Sequence, residues 1–324
     1  MRQAMTASRF SFSSPWLATA LGTVALVVLG QGLSSYGAGL VIDCLVFAIL
    51  ALGLNLLLGY AGLPSLGHAA YFGVGAYTAG LVYLHVSTNF WLAAAAAIVA
   101  SMAVAAVYAL LALRTTGVYF LIITLALGQI TWATAFSWRS VTGGDDGLRG
   151  IGRPDLGLPG LSVADTDGYY LLVVLATAAA LCLMAILARS PFGHALRGIQ
   201  QNGPRMAALG YNVWLYKYLA FIISAGFAGY AGVLFVFYKG FVSPESVGIV
   251  ISAEITLMVI IGGAGTLAGP VLGAFIVMLL SHLVSGFTDR WITWLGLLYV
   301  AAVLFAPRGI VALAHDLVRT RRAS

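Results

Sequence analysis

Long apolar runs, separated by short polar breaks, dominate this chain. Between Cys44 and Leu113 there is no Asp, Glu, Lys or Arg at all. A soluble core has no need of so long a charge-free stretch, whereas a bilayer-crossing helix needs about 20 predominantly apolar residues. The apolar windows predict helices at 16–32, 38–60, 69–85, 91–113, 117–137, 168–188, 214–239, 247–263, 268–286 and 291–307, about ten spans with ends blurred by glycine. The fold class expected is all-α: a polytopic helical integral membrane protein, with helices broken at Gly-rich segments. Residues 16–308 form one transmembrane domain, flanked by a short segment, 1–15, and a tail, 309–324. Arg2 and Arg9 followed by an apolar run look like a signal peptide, but the many later spans favour an uncleaved first helix.

The largest polar interruption on the basic side is 189–217. It carries Arg189, Arg197, Arg205 and Lys217 and no acid, which places it in the cytoplasm by the positive-inside rule. It is longer than an ordinary inter-helix connection. A helical reading of 193–209 sets Ala195, Ile199, Met206 and Leu209 among polar neighbours, the pattern of a short amphipathic element that docks into a groove. The competing reading is an inert loop held inside by its charges. With the N-terminus inside, only Arg139, Arg149, Arg153, Lys239 and Arg290 fall outside, so both termini are expected to be cytoplasmic. The longest external loop, 138–168, mixes five aspartates with three arginines among Gly and Pro, which reads as a turn-rich cap or a solvated connector.

Two Gly-rich stretches break the apolar pattern, one in each half: 55–77, NLLLGYAGLPSLGHAAYFGVGAY, and 262–273, GGAGTLAGPVLG. In a membrane such stretches permit close helix contact, or a broken helix whose free backbone groups line a wet path. Both readings are open, and the similar Ala-Gly spacing hints at an internal repeat. Candidates for path or break are Asn55, Gly59, Gly62, His68, Glu254, Gly262, Gly263 and Gly265. His68 can gate, sense pH, or hydrogen-bond a neighbouring helix, the last being the commoner role. Glu254 is the strong mid-span carboxylate, and its charge is costly in lipid. It can lock helices together, which is favoured, attract a substrate ammonium, or carry a coupling proton. Asp43 sits near the outer end of its span, within reach of water.

Composition narrows the function. Charged residues are 8% and hydrophobic residues 61% of the chain, far from the roughly one quarter charged in soluble domains. The net charge of +6 follows from basic cytoplasmic loops and does not point to nucleic acid. Cys44 and Cys182 lie in apolar segments with no disulfide or metal spacing. Gly263-Ala264-Gly265 lacks the Gly-Lys-Ser/Thr ending of a phosphate loop, so no ATP site and no cofactor is expected. Paired carboxylates, a nucleophile elbow and a His-Glu-x-x-His motif are all missing, which argues against a membrane enzyme. Trp91, Trp138, Trp214, Trp291 and Trp294 mark span ends as interfacial anchors or as simple lipid-facing packing.

Four blocks together carry a family resemblance: LGLNLLLGYAGLPSLGHAAYFGVGAY (52–77), TGGDDGLRGI (142–151), RSPFGHALRGIQQNGPRMAALGYNVWLYKYLAFIISA (189–225) and SAEITLMVIIGGAGTLAGPVLGA (252–274). The chain resembles the branched-chain amino acid ABC transporter permeases, their LivM-type subunit in particular. The resemblance implies one membrane subunit of an ATP-driven importer in a bacterial inner membrane, without ATPase activity of its own. The implied partners are a homologous second permease, two cytoplasmic ATPases and an extracytoplasmic binding protein that delivers a small-molecule substrate. The 189–217 island would be the loop that seats in the ATPase, with Gly193, Arg197, Asn202, Ala207, Leu209 and Gly210 matching the family pattern. His194, Gln200, Gln201 and Gly203 depart from it, standing where charged residues are usual. Related permeases carry urea, amides or other amino acids, an alternative left open. From another class, a stand-alone ion-coupled transporter would need intramembrane carboxylates, for which Glu254 is the strong candidate.

Overall fold

The computed structural model describes residues 15–30, 32, 34–157, 163, 165–286, 293, 294, 296, 297 and 300. A helix fills each predicted window up to 268–286: α1 (Pro15–Gly30), α2 (Ser35–Asn55), α3 (His68–His85), α4 (Phe90–Ala112), α5 (Val118–Ser137), α7 (Thr166–Arg189), α9 (Val213–Lys239), α10 (Ile249–Gly262) and α11 (Gly269–Ser285). Two further helices lie in the polar breaks, α6 (Arg139–Thr142) and α8 (Pro191–Ala208). The window 291–307 falls mostly outside the described residues. Among the described residues five helices are long and apolar enough to cross a membrane: α2 with the turn that follows it (Ser35–Tyr60), α4, α5, α7 and α9; α10 and α11 are shorter apolar helices.

α2 is the axis of the bundle. From Ile42 to Asn55 every residue is buried, because α7, α9, α10 and α11 surround it. A helix that is apolar on all sides has to be enclosed in this way or face lipid. Its polar positions are spent on neighbours: the Ser224 hydroxyl of α9 donates to the Gly53 carbonyl at 2.6 Å. Near the other end Lys239, the last residue of α9, donates to the Asp43 carboxylate at 2.8 Å. Asp43 is therefore paired, where the sequence placed it in reach of water.

The second packing unit is α3, α4 and α9. α4 presents Ala93, Ala97, Ser101, Ala105 and Ala109, one residue per helical turn, all buried. Without large side chains on that stripe, backbones approach to contact distance. A Cβ on Gly229 would lie 2.7 Å from Ser101 Cβ, and one on Gly75 would meet the Gly229 backbone. The Ser101 hydroxyl donates to the Tyr71 carbonyl at 2.9 Å and ties α4 to α3. Residues 138–157, the described first part of the loop before α7, are turn-rich. α6 and a short 3-10 turn lead into a two-residue strand, β1 (Leu148–Arg149), which pairs antiparallel with β2 (Phe241–Val242) just beyond α9.

Candidate functional site

The two Gly-rich stretches meet. After Asn55 the axial helix α2 changes to one π-helical turn, Leu56–Tyr60, closed by the Ala61 N–H on the Leu56 carbonyl at 3.2 Å. The facing segment is the 263–268 turn between α10 and α11, where Gly263 and Gly265 have φ of 111° and 81°. Asn55 joins the two with both ends of its amide. Its Nδ2 donates to the Thr266 carbonyl at 2.8 Å, and its Oδ1 accepts from the Gly265 N–H at 2.8 Å. That is how a buried amide and an interrupted backbone are both satisfied away from water. A Cβ on Gly59 would run into the Gly265 backbone nitrogen and Asn55 Oδ1, and a Cβ on Gly262 would meet the Gly269 carbonyl. Of the two readings of the glycines, close contact describes Gly59, Gly262 and Gly265. Thr266 completes the turn by donating to the Gly263 carbonyl (2.8 Å) and accepting from the Gly269 N–H (3.0 Å), which caps α11.

The same π-helical turn carries the basic island. α8 starts at a Ser190 N-cap, whose hydroxyl oxygen accepts from the Gly193 N–H, with Pro191 in the first turn. A Cβ on Gly193 would collide with the Leu187 carbonyl, so this glycine lets α8 fold tightly back on the end of α7. Ala195, Leu196 and Ile199 are buried. Arg197 lays its guanidinium over the Tyr60 ring, 4.7 Å from the centroid. Gln200 covers Gly62: a Cβ there would be 2.9 Å from Gln200 Cγ, on a backbone with φ of 69°. The helix then breaks at Asn202 (φ −159°, ψ 90°), ahead of Pro204, and the Asn202 Oδ1 caps the second segment by accepting from the Arg205 N–H at 3.0 Å. That segment ends at Gly210 (φ 90°), where the Gly210 and Tyr211 N–H groups bond to the Ala207 and Met206 carbonyls. Asn202, Arg205, Ala207, Leu209 and Gly210 are exposed. The break corrects one expectation. The helix over 193–209 is not continuous: its phase restarts after Asn202, so Leu209, 66% exposed, does not share a face with the buried Ala195 and Ile199.

His68 and Glu254 stand apart from this knot. His68, the first residue of α3, is fully buried, and neither ring nitrogen has a hydrogen-bond partner among the described residues. The expected interhelical hydrogen bond is not formed. The imidazole instead meets the edge of Tyr71 (centroids 5.8 Å apart) and lies by Gly53, where a Cβ would be 3.2 Å from Nε2. Glu254 is 7% exposed and lines a cavity of about 610 Å³ between α2, α5 and the start of α10. No described residue hydrogen-bonds or ion-pairs with it, so the favoured lock finds no partner among the described residues.

Several of these contacts were not read from the sequence. Tyr60 and Thr266 are polar residues inside the quoted Gly-rich blocks, and that location was their available signal. Gln129, an amide in the middle of the apolar run of α5, and Glu245, a carboxylate in the break before α10, are the cavity residues that a search for polar interruptions would find.

A helical bundle whose axial break is bolted to a second break, and also to an amphipathic element outside the apolar spans, has the build of a membrane transport permease. The sequence comparisons agree and go further. The chain belongs to the family described as Branched-chain amino acid transport system / permease component, whose model matches residues 36–307. It is 29% identical over 301 residues to the high-affinity branched-chain amino acid transport system permease protein LivM of Escherichia coli (strain K12), covering 86% of this chain and 71% of that protein. The LivM protein of Salmonella typhimurium (strain LT2) is 29% identical over 298 residues, 86% of this chain and 70% of its own. The LivH permease protein of Escherichia coli (strain K12) is 23% identical over 287 residues, 82% of this chain and 91% of its own. No solved structure matches the chain.

Proposed function

We propose that the chain is one membrane subunit of an ATP-driven importer of branched-chain or related hydrophobic amino acids, with both termini and α8 on the cytoplasmic side of the inner membrane. A homologous second permease completes the path. Two ATPases act from below, and a binding protein delivers substrate from outside. The observation that carries this reading is the division of α8. Its first half grips Tyr60 and Gly62 at the foot of the axial helix, while its second half, Asn202 to Gly210, stands exposed. An exposed basic segment suits a cytoplasmic partner, and the gripped segment hands that partner's motion to the Gly59–Gly265 contact. A ligand or motor shifts a transporter between two states only through contacts that differ between them, and α8 is placed to make such contacts.

The test is reconstitution of the chain with its second permease, ATPases and binding protein in proteoliposomes, followed by ATP-dependent uptake of L-leucine. Arg197→Glu is expected to assemble normally and hydrolyse ATP, with uptake lowered about tenfold or more, within the range of ordinary coupling energies. Unchanged uptake would remove α8 from the coupling role. Leucine uptake that needs no ATP would contradict the importer class. Urea or a short amide that competes with leucine would shift the substrate and leave the class intact.

A further inference from the structure

The Glu254 cavity combines features that no residue of the coupling knot has. Its walls include Phe47 of α2, Trp132 of α5 and Ile251 of α10, which are bulky and apolar. Its polar groups are two carboxylates, Glu254 inside and Glu245 at the exposed margin, and the Gln129 amide. The first turn of α10 also lines it. There Gly248 is the N-cap and supplies no capping side chain, so the leading N–H groups of the helix lack a side-chain cap at a turn that lines the cavity. A helix start of this kind favours a carboxylate. Glu254 leans back over that turn, since helical side chains point toward the N-terminus. The cavity opens to the bundle surface at Ile249 and Val250, which are 44% and 38% exposed. It lies toward the end of the bundle that carries the Asp43–Lys239 pair, Phe47 being one helical turn below Asp43.

The decisive feature is Glu254 itself. A carboxylate that is 7% exposed and has no partner among the described residues is expensive to keep in an apolar bundle. The cost is relieved by taking up a proton or by meeting a cation, and the cavity beside Glu254 leaves room for the cation. The cavity holds the complements of one chemical class: a carboxylate for an ammonium, helix N–H groups and an amide for a carboxylate, and aromatic and aliphatic walls for a branched apolar side chain. We propose that this cavity is a recognition site within the permease for the substrate as an α-amino acid zwitterion, with Glu254 taking the ammonium and the first turn of α10 taking the carboxylate. The inference rests on the permease reading and adds the site and its polarity. Glu245, exposed at the margin, draws the ammonium in and contributes less, since its charge is screened. A single buried carboxylate over one helix start gives a weak site, as passage requires, because tight binding would hold the substrate back.

The experiment uses the assembled transporter with Cys44 and Cys182 replaced by alanine and Val250→Cys as a reporter at the cavity margin. Labelling by a water-soluble thiol reagent is followed against increasing L-leucine, 4-methylpentanoate, which lacks the ammonium, or 3-methylbutylamine, which lacks the carboxylate. L-leucine is expected to slow labelling, and each single-charge analogue to need about tenfold or more of the concentration, as the loss of one charge-assisted contact implies. Glu254→Gln should raise the half-protecting leucine concentration by about tenfold and erase the preference for leucine over 4-methylpentanoate. Glu245→Gln should raise it by only about two- to threefold, as for an exposed charge. Equal protection by all three compounds, or unchanged leucine protection in Glu254→Gln, overturns the proposal. So does a Glu254→Gln chain that no longer assembles, because Glu254 then serves the subunit interface. Failure of the wild-type assembly to import leucine with ATP is a separate result that strikes the permease reading itself.

Discussion

Asn55 and Glu254 are both buried polar residues of an apolar bundle, and they live under opposite terms. Asn55 uses donor and acceptor in two 2.8 Å hydrogen bonds, and the glycines around it leave no room even for a methyl group. Glu254 has a cavity of about 610 Å³ beside it and no partner among the described residues. A saturated polar group in a closed contact is scaffold; an unsatisfied one beside open space is held for something that arrives. The same test sorts the other candidates. Gly59, Gly262 and Gly265 fall with Asn55, and Gln129 and Glu245 with Glu254. His68, unpartnered but sealed by Tyr71 and Gly53, has the unsatisfied atoms without the space.

If the knot is scaffold, the largest effect comes from forcing it apart. Gly59→Leu should abolish uptake and sharply lower the amount of assembled chain, since its side chain has to displace the Gly265 backbone. Gly265→Leu and Gly62→Leu should be nearly as damaging, because each also forces a side chain onto a left-handed backbone. Gly22→Leu is the control: no atom lies within 4 Å of a Cβ there, and uptake should be normal. Comparable activity of Gly59→Leu and Gly22→Leu, by uptake and by assembled yield, would break the comparison.

A smaller loss is expected from Asn55→Leu. It strands the Gly265 N–H and the Thr266 carbonyl, at about 1–3 kcal/mol each for buried unsatisfied groups. The variant should show a clearly lowered melting temperature in detergent, while Glu254→Gln, which strands no partner, should melt like the wild type or higher. Next comes Lys239→Met, which leaves the Asp43 carboxylate without its partner. A drop in melting temperature is expected, and adding Asp43→Asn should restore most of it, the signature of a coupled pair. Arg197→Ala is the mildest of the set. It loses a cation–π contact at the bundle surface, worth about 0.5–1 kcal/mol, so its stability should barely change while its coupled uptake falls.

The sequence made the elements legible and left the partnerships hidden. Apolar length located α2 through α5, α7 and α9 to within a few residues, because bilayer thickness sets span length whatever the neighbours are. The amphipathic first half of α8 was legible for the same kind of reason, through Ala195 and Ile199. The break in α8 was hidden because a single helical period runs on paper through Asn202 and Pro204, where the backbone restarts it. Asn55 with Gly265, Arg197 with Tyr60 and Asp43 with Lys239 join residues whose partners depend on how helices assemble, and periodicity reports a face without naming what covers it. The Gly-rich stretches showed that something approaches closely, and the fold shows that they approach each other. Glu254 was visible as a costly charge, but its unpartnered state and its company of Gln129, Trp132 and Glu245 needed the packed bundle.

The most direct measurement compares water access in the two regions. In an assembly with Cys44 and Cys182 replaced by alanine, a reporter thiol is placed at Gln129→Cys in the cavity or at Leu57→Cys in the π-helical turn, where the native side chain is fully buried. Gln129→Cys should react with a water-soluble thiol reagent and be shielded by L-leucine, while Leu57→Cys stays unmodified with or without it. Modification of Leu57→Cys at the rate of Gln129→Cys, or an inert Gln129→Cys, would contradict the division of this bundle into a closed scaffold and an open recognition cavity.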